Sequence, residues 1–156
     1  MIEIAGAHPE LHIDRIRHLA QQFAEEPAYR HIGLRLEDIS RGRCQASADI
    51  APTLLHHRGA VQGGIVGMVA DATAGYAALS LLDERVGEES DSMTTLEFKT
   101  SFLIPAVGDT IRCVAHVVGN GQAVAFLSAQ VYVVNQGISK VCALTTLTFK
   151  RLRQQR

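Results

Sequence analysis

The chain of 156 residues contains no tryptophan, only three tyrosines and five phenylalanines, and its formal net charge is −1. So few aromatic side chains offer no platform on which nucleic-acid bases stack. The near balance of charge also lacks the excess of Lys and Arg that binding to a phosphate backbone requires. We therefore expect no nucleic-acid partner.

Long hydrophobic runs are also missing. No window approaches the roughly 20 apolar residues of a membrane-spanning helix. The stretch MIEIAGAHPELHID contains acidic residues and no apolar segment of signal-peptide length. These absences predict a soluble, cytoplasmic protein without a membrane partner.

Cysteine is scarce, and no metal-ligand pattern is present. The chain has three cysteines, which lie far apart and cannot all pair: Cys44, Cys113 and Cys142. Each stands in a strand-like alternating pattern beside apolar neighbours. This pattern predicts small buried residues in a protein of a reducing compartment. His56 and His57 are adjacent, and adjacent side chains rarely point at one ion. No other Cys, Asp or His stands at ligand spacing, so we expect no metal site.

The hydrophobic pattern predicts one helix, two strands, a long helix and four further strands. Helical spacing predicts an amphipathic helix over residues 10–25, within an N-terminal helical segment 1–27. Alternation predicts strands over 31–39 and 44–50, a strand through Leu96, Phe98 and Phe102, and strands over about 110–118, 123–134 and 139–150. A polar loop is expected over 83–92, and the tail 151–156 is expected to be frayed.

The segment around residues 60–82 is apolar on nearly every side, which predicts a buried helix. Four consecutive strands linked by hairpins predict an antiparallel sheet. We expect a single α+β domain over 1–156, in which a sheet of about six strands wraps around the long helix.

This central helix carries two features that reduce its stability. Gly63 and Gly64 stand at its start, where the first backbone amides have no acceptor within the helix and lie at the positive end of its dipole. Such amides suit the oxygen of a polarised carbonyl, although close helix packing would also explain the glycines. Asp71 stands among apolar neighbours, where a carboxylate is costly unless it is paired or takes up a proton. Acids in such surroundings are frequent at catalytic sites, although pairing with a hydroxyl or contact with solvent would also explain Asp71.

The spacing of these residues predicts a dimer if they act together. Asp71 follows Gly64 by seven residues, so both lie near one side of the helix, about 10 Å apart along its axis. That separation is too long for one chain's carboxylate to attack a carbonyl held by the same chain's amide, because attack requires about 3 Å. An antiparallel second copy of the helix would bring the two groups together, giving two identical sites about a two-fold axis.

The string HHRGAVQGGIVGMVAD, with the predicted order of elements, resembles the hotdog-fold acyl-CoA thioesterases of the PaaI-like, phenylacetate-degradation branch. The family motif Asn-x-x-Gly-x-x-His-Gly-Gly, followed seven residues later by Asp, appears here as His56-x-x-Gly59-x-x-Gln62-Gly63-Gly64 and then Asp71. A second block, Phe-Leu-x-Pro-Ala, matches residues 102–106. The resemblance extends over about residues 30–150.

The resemblance implies roles for individual residues. Asp71 would be the nucleophile or the base that activates water, and Gly63 of the opposite subunit would supply the amide of the oxyanion hole. Gln62 replaces the usual His and would contact the carbonyl region or cap the helix. His56 replaces an Asn that helps to position the water or the acid. Gly64 is expected to contact substrate.

Two threonines compete for one further role. Thr95 aligns with a Ser or Thr that orients the water in some family members, and Thr94 is the alternative. By alternation, Thr95 shares a face with Glu97 and Lys99, whereas Thr94 shares one with Leu96 and Phe98. The face that lines the cleft decides between them, and the sequence leaves both open.

The implied function is hydrolysis of an acyl-CoA with a medium-chain or aromatic acyl group, in a homodimer or homotetramer. Coenzyme A would be part of the substrate, and no separate cofactor is expected. Lys99 is a candidate for binding its phosphates. The alternative is a non-catalytic hotdog module that binds acyl-CoA, which the replacements at His56 and Gln62 favour.

Overall fold

A computed structural model describes residues 10–82 and 92–153. Helix α1 spans Ile13–Glu25, α2 spans Pro27–His31 and α3 spans Gly63–Leu79, with a 3-10 turn over Pro52–Leu54. The strands are β1 (Arg35–Ser40), β2 (Arg43–Asp49), β3 (Ser92–Phe102), β4 (Thr110–Asn120), β5 (Val124–Asn135) and β6 (Ile138–Leu152).

The six strands form one antiparallel sheet in the order β1-β2-β4-β5-β6-β3. The predicted chain of four hairpin-linked strands is wrong at its first link, because β3 pairs with β6 and not with β4. Of these four strands, only β4, β5 and β6 follow one another as hairpins. Alternation shows which residues share a face of a strand, but it carries no information on the strand's neighbours.

Helix α3 packs against one face of the sheet, as its apolar sequence predicts. Ten of its residues are buried: Val66, Gly67, Val69, Ala70, Ala72, Thr73, Ala74, Tyr76, Ala77 and Ala78. They pack against inward-facing side chains such as Ile111, Leu127 and Val131. The three cysteines are buried and unpaired, as predicted.

Two arginines hold the end of α3. Arg15 of α1 donates from Nη2 to the Leu79 carbonyl at 3.1 Å, and Arg41 donates from Nη2 to the Leu81 carbonyl at 3.2 Å. Cations at this end of a helix bind carbonyls that lack intrahelical partners and interact favourably with the helix dipole. The contact from Arg15 also fixes α1 beside the core.

The boundaries of several elements differ from expectation. The strand predicted over 31–39 begins only at Arg35, because a short helix, α2, begins at Pro27 and ends at His31. Proline is favoured in the first turn of a helix. Arg151 and Leu152, placed in a frayed tail, continue β6, and the Arg151 amide donates to the Ala123 carbonyl at 2.9 Å. The predicted loop 83–92 lies outside the described residues except for Ser92, which belongs to β3, and 154–156 lie outside them too.

Candidate active site

The N-terminus of α3 is capped by its own flanking side chain. The Gln62 Oε1 atom accepts hydrogen bonds from the Gly64 amide and, at 3.2 Å, from the Ile65 amide. Within the described part of the chain, the Gly63 amide has no hydrogen-bond acceptor. The cap predicted as one role of Gln62 is therefore present, and it leaves a single unpaired donor at the positive end of the helix.

Gly63, Gly67 and Asp71 form a stripe along α3 that faces β3. A Cβ atom on Gly63 would lie 3.1 Å from Phe102 Cζ, and one on Gly67 would lie 3.2 Å from Phe98 Cε2. Glycine at both positions lets α3 approach the phenyl rings closely, and a Cβ atom there would require the rings to shift by a few tenths of an ångström. One turn further along the helix, Asp71 accepts a hydrogen bond of 2.8 Å from the Thr95 hydroxyl.

A bulge in β3 decides which threonine faces Asp71. The pairing of β3 with β6 shifts between Thr95 and Glu97, so regular alternation is interrupted at Leu96. Thr95 consequently lies on the helix side together with Phe98, and Thr94 is exposed on the outer side. The expectation that Thr95 shares a face with Glu97 and Lys99 is wrong, because it assumed an uninterrupted strand.

The surroundings of Asp71 alter its acidity. The carboxylate is partly buried, and this loss of solvation raises its pKa above the ordinary value for aspartate. The hydrogen bond from Thr95 acts in the opposite direction, since it stabilises the ionised form. A carboxylate that binds a proton more readily than usual is a better base than an exposed aspartate.

Replacing Thr95 with Val is expected to test this hydrogen bond. Val has nearly the same shape but no hydroxyl, so the ionised Asp71 loses its donor and its pKa rises further. If Asp71 acts as a base, the limb of the pH–rate profile that reports its ionisation should move to higher pH. The matched control is Thr94→Val on the outer face, which should leave the profile in place; equal shifts in both variants would contradict the assignment.

A cleft of about 410 Å³ opens at the N-terminus of α3. It is lined by His56, Ala60, Val61, Gly63, Val66, Phe102, Leu103, Ile104, Pro105, Ala106 and Cys142. Gly63 and His56 therefore line the same largely apolar cavity. Asp71 does not line it, in keeping with a separation of about 12 Å from Gly63 over eight helical residues.

Several solved structures are similar to this chain. No protein-family model and no curated protein matches its sequence. A thioesterase family protein from Silicibacter pomeroyi has a TM-score of 0.83 at 29% identity, covering 89% of this chain and 98% of that one. A Haemophilus influenzae thioesterase has a TM-score of 0.76 at 16% identity, covering 90% of this chain and 92% of that one. The PaaI protein of the E. coli phenylacetic acid degradation operon has a TM-score of 0.74 at 21% identity, covering 88% of this chain and 96% of that one.

The chain has the hotdog fold of the thioesterase superfamily. The predicted resemblance and the predicted α+β architecture are both confirmed. The neighbours support a hotdog thioesterase. Sequence identity to these three proteins is between 16% and 29%, so the roles of individual residues in this hotdog domain depend on its own geometry.

Two of the predicted substrate-binding residues lie on the face of the sheet that points away from α3. Lys99 is exposed and pairs across the strands with Thr146, on the outer face of the hotdog sheet. Thr94 also faces outward, where it pairs with Lys150. The structure thus separates both from Asp71, which lies on the helix side. The amide of Gly64, a third predicted contact, is already occupied by the Gln62 cap.

One edge of the hotdog sheet leaves apolar side chains uncovered. In the described ranges β3 pairs with β6 alone, so its other side carries unpaired backbone groups. Phe98 and Phe102 lie against α3 and are nevertheless 48% and 58% exposed. Leu103 and Ile104 continue the same surface. An edge strand flanked by exposed apolar side chains is a surface on which a second copy can pair.

No three His, Cys, Asp or Glu side chains in 10–82 and 92–153 are grouped so that they would hold a metal ion. In the same ranges, no helix has the length and apolar character needed to cross a membrane.

Proposed function

We propose that this hotdog protein hydrolyses an acyl-CoA thioester at sites shared between two subunits. The observation that carries the proposal is the stripe on α3, with an unpaired amide at Gly63 and a partly buried carboxylate at Asp71, oriented by Thr95. One group suits a carbonyl oxygen and the other suits the water that attacks the same carbonyl. The thioesterase neighbours agree with this class of reaction.

In the proposed mechanism Asp71 acts as the general base. The Thr95 hydroxyl engages Oδ1, which leaves Oδ2 to accept a proton from water. The water oxygen attacks the thioester carbon, and the negative charge that forms on the carbonyl oxygen is stabilised by the Gly63 N–H. The intermediate then expels coenzyme A as a thiolate by breaking the C–S bond. The thiolate takes up the proton, giving the carboxylic acid and the free thiol.

The dimer is part of the proposal because α3 is a regular helix. Asp71 and Gly63 of one chain stay about 12 Å apart, well beyond the contact that attack requires. Pairing of two β3 edges about a two-fold axis would cover Phe98 and Phe102 and bring each carboxylate towards the partner's helix N-terminus. This arrangement uses the surface that is uncovered in the single chain.

The cleft beside Gly63 suits the acyl group. Its walls include Val66, Phe102 and Ile104, and no lining side chain is a carboxylate, Lys or Arg. Such a cavity favours an uncharged, apolar acyl group, and we propose a medium-chain or aromatic one. Coenzyme A belongs to the substrate, so the proposed reaction needs no further cofactor.

A pair of substitutions at Gly63 tests the proposed oxyanion hole. Gly63 is the first residue of α3, where proline is compatible with a helix, and Gln62 has φ −60° and ψ 136°, the conformation that precedes proline readily. Gly63→Pro removes the N–H itself and should lower kcat by about 10²- to 10³-fold. Gly63→Ala brings a similar clash with Phe102 but keeps the N–H, and should lose much less activity.

The measurement is thiol release from a panel of acyl-CoA substrates that spans short, medium, long and aromatic acyl groups. Equal losses in the Pro and Ala variants would show that crowding of Phe102, and not the amide, matters. Binding of every acyl-CoA without turnover by the unmodified protein would refute hydrolysis. That result would instead support the alternative, a non-catalytic acyl-CoA-binding module.

A further inference from the structure

A groove of about 730 Å³ lies between α1 and β1, at the opposite edge of the sheet from β3. In the described ranges β1 pairs with β2 alone, so it is an edge strand. The groove shares no lining residue with the cleft beside Gly63. It is lined by Ile16, Ala20, Phe23 and Ala24 of α1, by Arg30 of α2 and by residues 33–39.

The groove follows the edge of β1. Side chains of a strand alternate between its two faces, so a cavity over one face is lined by every second residue. Here every residue from 33 to 39 contributes to the lining. At about 3.3 Å per residue this segment spans about 20 Å, which suits an extended ligand.

The walls of the groove are largely apolar. Phe23, Leu34 and Ile39 are buried, and Ile16 and Leu36 are partly buried against the core. An apolar cavity of this volume that opens to the surface is suited to a hydrocarbon chain.

One positive charge in the groove is not compensated. The groove contains Arg30, Arg35, Glu37 and Asp38, and the last three have partners. These partners are Asp49 for Arg35 at 3.2 Å, Arg43 for Asp38, and Gln45 and Arg112 for Glu37. Within the described part of the chain, the exposed Arg30 guanidinium has neither an ion pair nor a hydrogen bond.

We propose that this groove binds a free fatty acid, with the hydrocarbon chain between α1 and β1 and the carboxylate on Arg30. A guanidinium pairs with a carboxylate through two parallel N–H···O bonds. Arg30 belongs to the connection between α1 and β1, so it lies at one end of the groove. Glu37 and Asp38 add negative charge further along, which favours a single carboxylate over a more highly charged phosphate.

A second copy of the chain is a less suitable occupant. In the proposed dimer the copies pair through β3. Further pairing through β1 would extend the sheet from dimer to dimer without closure, and contacts that do not close produce filaments. This comparison uses the proposed dimer, whereas the fatty-acid site itself does not depend on hydrolysis.

Nuclear magnetic resonance of the full-length protein with labelled Ile, Leu and Val methyl groups locates the ligand. Dodecanoate, added below its micelle-forming concentration, should shift the methyl resonances of Ile16, Leu36 and Ile39. A response at Val61 and Ile104 alone would place dodecanoate in the cleft beside Gly63 and overturn the proposal. The Kd is taken from the groove resonances, so binding elsewhere does not contribute to it.

Replacement of Arg30 tests the head-group contact. Arg30→Gln should raise the Kd for dodecanoate by about tenfold or more, because a charge-assisted pair is lost. Dodecanol has the same chain without a charge, and its Kd should be nearly equal in both proteins. The matched control is Arg17→Gln, since Arg17 is exposed on α1 outside the lining. Equal Kd values for dodecanoate in the two variants would refute the proposal.

Filling the groove tests the site of the chain. Ala20→Phe should abolish the groove shifts with dodecanoate and dodecanol while leaving the rate of hydrolysis and the oligomeric mass unchanged. A changed oligomeric mass would assign the groove to a contact between copies and overturn the proposal. If Ala20→Phe does not fold, Arg30→Gln decides. Binding is measured without turnover, so a protein that hydrolyses nothing refutes the proposed function and leaves this test intact.

Discussion

Asp71→Asn is expected to lower kcat for acyl-CoA hydrolysis by about 10²- to 10⁴-fold, because Asn keeps the shape of the side chain but accepts no proton from water. The unmodified enzyme should become faster as pH rises through the ionisation of Asp71. Since burial raises the pKa of this carboxyl, that increase should lie above the range of an ordinary aspartate. The residual activity of the Asn variant should lack this limb.

The stability of the same variant separates a lost base from a lost fold. A carboxyl whose pKa is raised in the folded protein binds protons more tightly there than in the unfolded chain. Its contribution to the free energy of unfolding is therefore present at low pH and is lost as pH rises through the folded-state pKa. Asp71→Asn should melt at a higher temperature than the unmodified protein in alkaline buffer, and this advantage should shrink on acidification.

Asp49→Asn is the matched control for this experiment. Asp49 is exposed at the end of β2, where it pairs with Arg35 at 3.2 Å, so its replacement should leave kcat unchanged. Full activity in Asp71→Asn would refute the mechanism. A drop in activity accompanied by a lower melting temperature in alkaline buffer would assign the loss to unfolding and contradict the stated role of the carboxylate.

Mixed dimers are expected to recover activity from two inactive chains. When Asp71→Asn and Gly63→Pro chains carry different affinity tags, doubly purified dimers contain one of each. If each site uses Asp71 of one subunit and the Gly63 amide of the other, one site receives both defects and the second site is intact. Such dimers should show about half the activity of the unmodified dimer, far above either parent.

The reciprocal mixture is the control. A chain with both substitutions, paired with an unmodified chain, leaves one defect in each shared site, so it should be nearly inactive. If Asp71 and Gly63 instead act within one chain, the outcomes reverse: the first mixture stays inactive and the second retains about half the activity. The two preparations contain the same substitutions in equal number, so differences in folding do not account for opposite results.

The periodicity of apolar residues predicted most of the helices and strands, but it did not predict which strands pair with one another. The helix that begins near Gly63 and the strands in the second half of the chain follow from the spacing of apolar residues alone. An element with a buried face needs that spacing, whichever element packs against it. The position of β3 beside β6 does not follow from it. That position depends on the free energy of the closed sheet, and it leaves β3 at the edge where Phe98 and Phe102 are exposed.

The candidate site shows the same division. Gly63 and Asp71 were identifiable because each is locally unfavourable, a glycine at a helix start and an acid among apolar residues. The choice of Thr95 over Thr94 could not be made from the sequence. It depends on a bulge at Leu96, and the alternating pattern describes a strand without bulges. No local signal announces such a bulge, because its cause is the register between two strands distant in sequence.

By itself, the order of residues determined most of the elements, the buried helix and the two unfavourable residues on it, because these depend on contacts between near neighbours and on the need to bury apolar surface. Only the tertiary structure decided that Gln62 caps the helix and leaves the Gly63 amide unpaired, that Thr95 binds Asp71, and that Lys99 faces away. These outcomes depend on hydrogen-bond geometry and strand register, which form when distant parts of the chain pack together.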